Sequence, residues 1–537
     1  MTQSDVSRTP TACSLCGAGA PRAILAEAAW GDPETIARLA ERHPGWRRET
    51  GACPACVQQA LLERLLEQGE EALHAGVQAL WPLDAEAVFG ALPTPLRLHA
   101  HPRYAGAGVT MAIVDAAFYP HPDLIHPRNR IRAWADAARE PVRSLTFASE
   151  GEPRWPGWDA RDAGQWHGLM TSTVAAGSGA LSHGLYRGLA SEADVVLVQV
   201  RDTEGRITNE SVARALDWLR WHGPGLGVRV VNLSLGGDPV AKGAPNPVDE
   251  AVAALVAQGI TVVAAAGNDG VRRLVPPGSA PEALTIGGID DKGTFDHSER
   301  AIWRSNFGET SGSAPKPELV APSLWVVAPI LPGTDLEAEA ALFFERRAAG
   351  ESSAEPRLRE LKMVTPHYQH VEGTSFASPM VAGVVACMLE ANPSLTPRGV
   401  REALVGSAQP VPGASLERQG SGALDAGRAV TLALHDHHGT ALSGEFPRVN
   451  EDGVEFVLHD HKAGSVSVVG SWDGWSRPGV AALCLEPGLW RASMPSRNGR
   501  YVYKFLVDGR VWLADPANPV RAHDGLGGWN SVLSIER

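Results

Sequence analysis

The stretch GTSFASPMVAG, residues 373–383, constrains the fold of this 537-residue chain more than any other. It places Ser375 among small residues, directly ahead of an apolar segment. Thr374 and Ser375 are suited to cap a helix, and Pro379 is tolerated in a first helical turn but not in a later one. The segment that follows is apolar on nearly every face, which predicts a helix buried in the middle of a core.

Two interpretations of Ser375 follow from this position. At a helix N-terminus, the partial positive charge and the unpaired amides favour negative charge developing on a bound carbonyl oxygen, so Ser375 is a candidate nucleophile. The alternative is an ordinary capped core helix, because serine is a common cap. The choice between them depends on what other polar residues the fold brings to this helix end.

Length and charge bound the class of protein. A chain of 537 residues is too long for a single core and predicts about three domains. The net charge is −13 and no Lys/Arg run stands out, which argues against nucleic acid or an anionic membrane as a partner. The first ten residues lack the basic-then-apolar pattern of a signal peptide, and the apolar runs near 251–266 and 379–389 are too short or too interrupted to span a bilayer. We therefore expect a cytoplasmic protein, with export by another route left open.

Four of the six cysteines form two CxxC pairs, Cys13/Cys16 and Cys53/Cys56. Two such pairs supply four thiolates to one tetrahedral zinc and leave no coordination position for catalysis. Disulfides and a redox CxxC are the alternatives, disfavoured by the missing signal peptide and by the missing strand-CxxC-helix context. The sequence therefore predicts a structural Zn²⁺ in a small module, with helices at 33–42 and 57–75, that needs its metal to hold together.

From about residue 105 the chain alternates apolar, β-branched runs with helical segments. Strands without polar alternation are covered on both faces, so the fold class is α/β, a parallel sheet flanked by helices. In such sheets the chemistry collects at the carboxyl ends of the strands. The predicted strands are residues 109–114, 195–200, 228–235, 260–266 and 284–289.

Polar residues stand at several of these strand ends. Asp115 directly follows the first strand, as either a cap or a desolvated acid, and Asp123 in HPDL is a rival acid whose loop context fits a turn better. His167 begins a helix of small and apolar residues, and alone it is more often a structural histidine than a catalyst. Asn268 ends the run VVAAAGN, just past another strand. With Ser375, these residues form a set of an acid, a histidine, an amide side chain and a serine.

Residues of roughly 100–433 resemble a subtilisin-like serine peptidase, or subtilase, in the order of these residues and in a series of motifs. The motifs are AIVD, HPDL, NLSLGG, VVAAAGN, GTSFASPMVAG and GSGALDAGRAV. The resemblance implies that Ser375 attacks a peptide carbonyl, that His167 transfers the proton, and that Asp115 supports the imidazolium. It also implies that Asn268 and the Ser375 amide bind the oxyanion, and that cleavage of a protein or peptide substrate needs no cofactor.

The same resemblance implies two substrate-binding surfaces. One is an extended edge that pairs with the substrate backbone, and the other is a roomy apolar pocket for a large side chain, with Asp269 at its rim. The edge residues are Ser234, Leu235 and Gly236, and the pocket residues are Ala265, Ala266 and Gly267.

The chain departs from the family pattern near the triad. Ala116 and Ala117 stand where a small hydroxyl residue and a glycine are usual, while Leu169 replaces a threonine and Thr173 a glycine. These changes alter packing without removing a catalytic group. The loop after the histidine helix lacks the Asn-rich character of the family's strong calcium site, so the sequence leaves calcium undecided. A charged insertion, residues 331–365, is predicted to be helical, either as a lid over the cleft or as a solvated surface excursion.

Residues 451–537 form a different kind of domain. Short alternating segments separated by turn residues predict an all-β sandwich, with a tight hairpin at Asp508 and Gly509. The motifs GSWDGWS, YKFLVDG, WLADP and LGGWNSV resemble the glycogen-binding domain of the AMP-activated kinase β subunit and related early-set domains. The resemblance implies α-glucan binding, although Gly528 replaces a threonine that would touch the sugar; a protein-interaction or packing module is the alternative. The implied sugar-binding residues are Trp475, Lys504, Trp512, Leu526 and Asn530.

Taken together, these patterns predict a serine endopeptidase with an N-terminal zinc module and a C-terminal carbohydrate-binding-like domain. One alternative is a weakly active or inhibited peptidase-fold scaffold that binds glycogen, another α-glucan or a partner protein. Another is a hydrolase that uses the same triad on esters or to form amide bonds. The predicted parts are a zinc module at 1–80, a linker at 81–104, a peptidase domain at 105–433, a linker at 434–450 and a β-sandwich at 451–537.

Overall fold

The protein is described by a computed structural model, and its contacts divide the chain into two compact units. The first comprises Met1–Leu61 and Val77–Val430, and the second Leu62–Gly76 and Thr431–Arg537. The described residues are 10–15, 19–21, 33–47, 50, 52, 56, 93–101, 103–149, 153, 162–182, 184–240, 244–292, 299–310, 314–436, 447–450, 453–486, 488–495, 497–509, 511–518, 520–523 and 529–535.

The N-terminal region of the first unit contains a two-stranded antiparallel sheet and a helix. These elements are β1 (Pro10–Ala12), β2 (Gly19–Pro21) and α1 (Pro33–Arg42), and α1 has the bounds predicted for it. A small apolar cluster forms around the helix from Cys13, Leu39, Trp46 and Ala52. Cys56 packs against the same cluster, so one cysteine of each CxxC pair lies there. The predicted helix at 57–75 lies outside the described residues.

Fourteen further strands are described in the first unit, most of them in one large sheet. They are β3 (Thr110–Asp115), β4 (Ile131–Asp136), β5 (Arg143–Thr146), β6 (Asp194–Gln199), β7 (Val228–Leu233), β8 (Thr261–Ala265), β9 (Leu284–Asp290), β10 (Ala301–Ile302), β11 (Gly308–Glu309), β12 (Pro315–Lys316), β13 (Leu319–Pro322), β14 (Val326–Pro329), β15 (Met363–Thr365) and β16 (Tyr368–Val371).

The large sheet has nine strands in the described part of the chain, in the order β10-β9-β8-β7-β3-β6-β4-β5, with β13 beside β9. From β9 to β4 every neighbouring pair is parallel, and β10 and β5 close the edges as antiparallel strands. The predicted α/β fold with a parallel sheet is confirmed. Its topology brings the carboxyl ends of β3, β7 and β8 to one edge.

The remaining described helices begin in the first unit, and the last of them continues past the unit's boundary at Val430. They are α2 (Thr94–Arg97), α3 (Pro122–Ile125), α4 (Trp166–Ala176), α5 (Asn209–His222), α6 (Pro247–Ala257), α7 (Asp335–Ala348), α8 (Ala354–Glu360), α9 (Thr374–Ala391), α10 (Pro397–Ser407), α11 (Leu416–Gln419) and α12 (Ala426–Asp436), with 3₁₀ turns at Ala163–Gln165, Ala180–Ser182 and Pro224–Leu226.

Helix α9 is the buried core helix that the sequence predicts. By length and composition it is the one described helix that is apolar enough to cross a membrane, but 89% of it is buried inside the protein. A helix that is apolar all round and covered by its own fold is a core helix. It packs on β7, β8 and β9 as well as on α4, so the serine at its start is fixed relative to the strand ends.

The insertion after β14 folds as two helices and a strand. Helices α7 and α8 pack together over β15, and their shared core contains Ile330, Ala340, Leu358 and Met363. The predicted helical character is correct for α7 and α8, while residues 363–365 form a strand instead. These three residues extend a small antiparallel sheet of β14, β16 and β15.

The second unit is built from β-strands, as predicted for the C-terminal domain. They are β17 (Arg448–Asn450), β18 (Gly453–His459), β19 (Val466–Gly470), β20 (Val480–Ala481), β21 (Leu483–Glu486), β22 (Leu489–Met494), β23 (Gly499–Val507), β24 (Val511–Leu513), β25 (Arg521–His523) and β26 (Trp529–Ile535), with a 3₁₀ turn at Ser471–Asp473.

In the described residues of this unit, the strands form two antiparallel sheets, β17-β18-β22-β21 and β20-β19-β23-β26-β25, with β24 paired to β23. Aliphatic and aromatic residues fill their shared core, where the rings of Phe456 and Tyr503 meet edge to face at 4.9 Å. Asp508 and Gly509 both have positive φ and join β23 to β24, which is the tight hairpin that the sequence predicts.

Candidate active site

Ser375 lies in the first turn of α9, and its side chain is half-buried. Gly373 precedes the helix with φ 135°, a conformation that other residues rarely adopt. A Cβ atom at this position would lie 3.3 Å from the Asn268 side-chain nitrogen. Glycine therefore lets the serine turn approach the end of β8 closely.

Asp115, the last residue of β3, forms a buried pair with His167 in the first turn of α4. The Asp115 side chain is 1% exposed, and its Oδ1 lies 2.7 Å from His167 Nδ1. Because the carboxylate can only accept, His167 donates from Nδ1, and this leaves Nε2 as the basic nitrogen. Gly168 allows the approach, since a Cβ atom there would lie 2.1 Å from the Ala117 carbonyl oxygen.

The environment of His167 raises its pKa above the ordinary value of 6.5. Burial is the largest influence and acts to lower the pKa, but the charge of Asp115 and its hydrogen bond together outweigh burial. The imidazolium that forms when His167 accepts a proton is therefore stabilised by the carboxylate behind it.

We expect the acidic limb of the kcat/KM profile to have its midpoint above pH 6.5. A general base must be neutral to accept a proton, so activity is lost as the pH falls through the pKa of His167, and that pKa is raised. The measurement is the hydrolysis of a peptide substrate between about pH 5 and pH 9. A midpoint at or below 6.5 would contradict the assignment of His167 as the base.

The hydroxyl of Ser375 donates to the Ser234 carbonyl oxygen at 3.4 Å. Within the described residues, no hydrogen bond joins Ser375 to His167, although the His167 ring lies 6.0 Å from that of Phe376, the next residue of α9. Proton transfer between the two side chains would require the hydroxyl to rotate toward the imidazole. Long or misaligned catalytic hydrogen bonds are common in proteins without a bound substrate.

Asn268 is held in one orientation by Thr374. Its Oδ1 accepts from the Thr374 amide at 2.9 Å and from the Thr374 hydroxyl at 2.8 Å. The same hydroxyl accepts from the Gly267 amide at 3.1 Å. With its oxygen occupied in this way, Asn268 presents its NH₂ group as a donor beside the first turn of α9. Sequence reasoning did not single out Thr374 as the residue that orients this amide.

A buried chain of hydrogen bonds links β7 to the serine turn. Ser234 Oγ donates to the Ser375 carbonyl oxygen at 2.8 Å and accepts from Asn232 Nδ2 at 2.9 Å. Ser378 donates to Asn232 Oδ1 at 2.6 Å. The chain has a structural cause in Pro379, which has no N–H to bond the Ser375 carbonyl four residues earlier.

The position of Pro379 corrects one expectation. Helix α9 begins at Thr374, so the proline lies beyond the first turn, in the interior of the helix. The helix tolerates it because Ser234 supplies the missing donor to Ser375. The sequence analysis did not predict the roles of Asn232 and Ser378, which complete this arrangement. Their polar side chains inside the apolar runs VRVVNLSL and ASPMVAG could have indicated a buried hydrogen bond.

The predicted substrate edge lies at the end of β7. Ser234 is buried, Leu235 is half-buried against the core, and Gly236 is exposed. A Cβ atom on Gly236 would lie 3.3 Å from Val275 Cγ2, so the valine side chain faces this edge.

The predicted pocket residues follow at the end of β8. Ala265 and Ala266 are buried, and Gly267 is half-buried with φ 100°. Asp269 is exposed, as expected at a rim, and its Oδ2 accepts from Asn306 Nδ2 at 3.3 Å.

The rival acid, Asp123, belongs to a different part of the structure. It is fully buried, and both its carboxylate oxygens accept from the Tyr368 hydroxyl, at 3.0 and 2.9 Å. The Leu181 amide donates to it at 3.4 Å. Asp123 therefore links the N-terminus of α3 to β16, while Asp115 is the acid that contacts His167.

In the second unit, the residues predicted to bind sugar share the outer face of one sheet. Trp512 lies on β24 with its ring 6.0 Å from that of Trp475, edge to face. Lys504 on β23 and Asn530 on β26 point to the same side by strand alternation, and Asn530 is 9% exposed. The Arg477 guanidinium lies over Trp512 at 4.9 Å. Leu526 lies outside the described residues.

An acid-histidine pair and a fixed amide lie beside a serine in the first turn of a buried helix, at the carboxyl edge of a parallel sheet. This is the arrangement of a serine hydrolase of the subtilisin type. The model of the subtilase family matches residues 106–422. The chain belongs to the subtilase family.

Individual relatives match the same region. Serine protease AprX of Bacillus subtilis is 29% identical over 307 residues, which cover 56% of this chain and 61% of AprX. Subtilisin BL of Lederbergia lenta is 26% identical over 336 residues, covering 62% of this chain and 94% of the relative. A solved protease of Pseudoalteromonas arctica is 22% identical, with a TM-score of 0.44, and covers 64% of this chain and 94% of its own.

Proposed function

We propose that the full chain hydrolyses internal peptide bonds of protein or peptide substrates, with Ser375 as nucleophile, His167 as base and Asp115 as its supporting acid. The observation that carries the proposal is the 2.7 Å contact between Asp115 and His167, which fixes the imidazole tautomer beside the start of the serine helix. An alternative scaffold function would not require the buried Asp115 carboxylate to hold a histidine near the serine at the start of this helix.

The geometry supports the following sequence of steps. The Ser375 oxygen bonds to the scissile carbonyl carbon while its proton passes to His167 Nε2, and the carbonyl π electrons move onto oxygen. The Asn268 NH₂ group and the Ser375 backbone amide donate to that oxyanion. His167 then protonates the leaving amine as the C–N bond breaks, and a water molecule repeats the cycle to release the new carboxylate.

Oxygen-18 water separates hydrolysis from the alternatives that use the same triad. The full chain is incubated with a peptide mixture in labelled water, and products are identified by mass spectrometry. Hydrolysis places one label in each new C-terminal carboxyl group, whereas joining two peptides leaves the new bond unlabelled. Intact peptides together with cleavage of a simple ester would show an esterase instead.

We further propose that the two CxxC pairs hold one structural Zn²⁺. Cys13, which is 2% exposed, and Cys56 both pack on the apolar cluster around Leu39, which brings one member of each pair to the same place. Thiolates are the donors that structural zinc prefers. Cys16 and Cys53 lie outside the described residues, and the residues that are described contain no group of three metal-binding side chains.

Purified full-length protein is expected to carry about one zinc per chain. Metal analysis of the wild type, Cys13→Ser and Cys484→Ser tests this. Cys13→Ser should lose the metal because three thiolates bind zinc more weakly, while Cys484→Ser, at an exposed position in the second unit, should keep it. Wild-type protein free of zinc and with all N-terminal thiols open to alkylation would remove the site.

A second candidate function is α-glucan binding by the second unit. The observation that favours it is the shared outer face of Trp475, Lys504 and Trp512 described above, since indole rings stack on sugar faces. Two features weigh against tight binding: Arg477 covers one ring, and Asn530 is largely buried. A protein-interaction role for the same face is the alternative.

We expect amylopectin in an affinity gel to retard full-length Ser375→Ala protein, and the further change Trp512→Ala to abolish the retardation. Trp221→Ala is the matched control, because Trp221 is 74% exposed but lies in the first unit. Equal migration with and without amylopectin would leave the face as a protein-interaction surface.

A further inference from the structure

Asp115 has two hydrogen-bonding partners besides His167, a backbone amide and a threonine hydroxyl. Its Oδ1 accepts from His167 Nδ1 at 2.7 Å and from the Ala116 amide at 2.6 Å. Its Oδ2 accepts from Thr171 Oγ1 at 2.7 Å. Asp115 and Thr171 are both almost fully buried, so water is not available to replace this bond.

Thr171 differs from the neighbouring hydroxyl residues of α4. The hydroxyl groups of Ser172 and Thr173 donate to carbonyl oxygens of their own helix, at Gly168, Leu169 and Met170. Such local bonds are what serine and threonine usually make in a helix. The strongest bond of Thr171 instead crosses to β3, while its contact with the Gly168 carbonyl is long, at 3.4 Å.

The residues that follow the acid provide no substitute. Ala116 and Ala117 have no polar side-chain atoms, so their loop offers Asp115 only backbone donors. A buried carboxylate oxygen left without a partner is costly, and a carboxylate held at one oxygen is free to turn about its bond to Cβ.

We propose that Thr171 is a positioning residue for the triad: its hydroxyl fixes the plane of the Asp115 carboxylate so that Oδ1 remains aligned with His167 Nδ1. Through Asp115 it sets the orientation of the imidazole, without touching the substrate. The inference rests on the proposed peptidase function.

The variants that test it are Thr171→Val, which keeps the shape and removes the hydroxyl, and Thr171→Ser, which keeps the hydroxyl. Thr173→Val is the matched control, because Thr173 lies on the same helix, is equally buried and bonds only to backbone. Concentrations are normalised by titration with a fluorophosphonate, and thermal midpoints are measured for each variant.

Thr171→Val is expected to lower kcat about tenfold or more with KM nearly unchanged, since a hydrogen bond to a charged group typically contributes that much. Thr171→Ser should recover most of the lost kcat. Thr173→Val should retain the wild-type kcat even if its thermal midpoint falls as much as that of Thr171→Val.

The kcat/KM profile adds a readout that general destabilisation would not change. The charged group facing His167 is Asp115 on β3, whereas the neighbouring rings of Trp166 and Phe376 are uncharged. Without the Thr171 donor the carboxylate is no longer held in line with His167 Nδ1, so the bond that raises the pKa of His167 weakens and the acidic limb should move to lower pH in Thr171→Val alone.

Two results would overturn the inference while the peptidase function stands: equal kcat in Thr171→Val and Thr173→Val, or failure of Thr171→Ser to recover activity. Absence of turnover and labelling in the wild type would instead reject the proposed function itself.

Discussion

Replacing Ser375 by alanine is expected to abolish both peptide hydrolysis and fluorophosphonate labelling while leaving the protein folded. The hydroxyl makes one long hydrogen bond, 3.4 Å to the Ser234 carbonyl oxygen, so its loss removes little stabilisation. It removes the nucleophile, however, and the corresponding change in subtilisin, a relative of this chain, lowers kcat about 10⁶-fold. Labelling measured by mass spectrometry, together with turnover of a peptide substrate, gives the result directly.

Ser415→Ala is the matched control for this experiment. Ser415 likewise stands at a helix N-terminus, immediately before α11, and makes no side-chain capping bond. A serine that merely stands at a helix end should be unreactive, so wild type and Ser415→Ala should be labelled equally, in the peptide that contains Ser375. This comparison decides between the two interpretations of the serine motif.

The contrary outcome is also informative. If folded wild-type protein were neither labelled nor active, the rotation that brings the Ser375 hydroxyl to His167 would be prevented. The protein would then be better described as a scaffold that retains the peptidase fold. Labelling at Ser375 without peptide turnover would instead point to an ester or another acyl substrate.

The parallel sheet was predictable because its strands are continuous apolar runs. The predicted strand at 109–114 is observed at Thr110–Asp115, and the one at 284–289 at Leu284–Asp290. By contrast, the strand at Ile131–Asp136 alternates with arginine and aspartate and was not predicted. Its tertiary pairing with β6 overrides that weaker local pattern.

The candidate site was predictable at the level of residue type but not at the level of hydrogen bonding. Asp115 and His167 lie 52 positions apart in sequence, and motif order alone implied that they meet. Nothing local to the sequence showed that Ser234 would bond the carbonyl left without a donor by Pro379, or that Thr171 would reach across to Asp115. Both contacts depend on which elements the fold packs together, and a single sequence does not specify that packing.

Asn268→Asp is expected to lower kcat by about 10²–10³ or more while KM changes little; this range was measured for an oxyanion-hole asparagine in subtilisin. The structure shows that this substitution changes one function of the side chain and preserves another. The aspartate Oδ1 can still accept from the amide and hydroxyl of Thr374, so the contacts that orient the side chain are preserved. Only the outward-facing NH₂ donor is exchanged, for a carboxylate oxygen that repels a developing oxyanion.

The neighbouring change Asp269→Asn is the control, since it alters an exposed charge by the same chemistry without touching the amide. If Asn268 serves only to hold Thr374 and the serine turn in place, Asn268→Asp should retain activity because both anchoring bonds remain. If it stabilises the oxyanion, kcat should fall while fluorophosphonate labelling slows and substrate affinity persists. A rise in KM with kcat unchanged would place Asn268 in substrate binding instead. The substitution therefore separates an electrostatic role from a structural one, because the NH₂ group of Asn268 would serve the first and its Oδ1 serves the second.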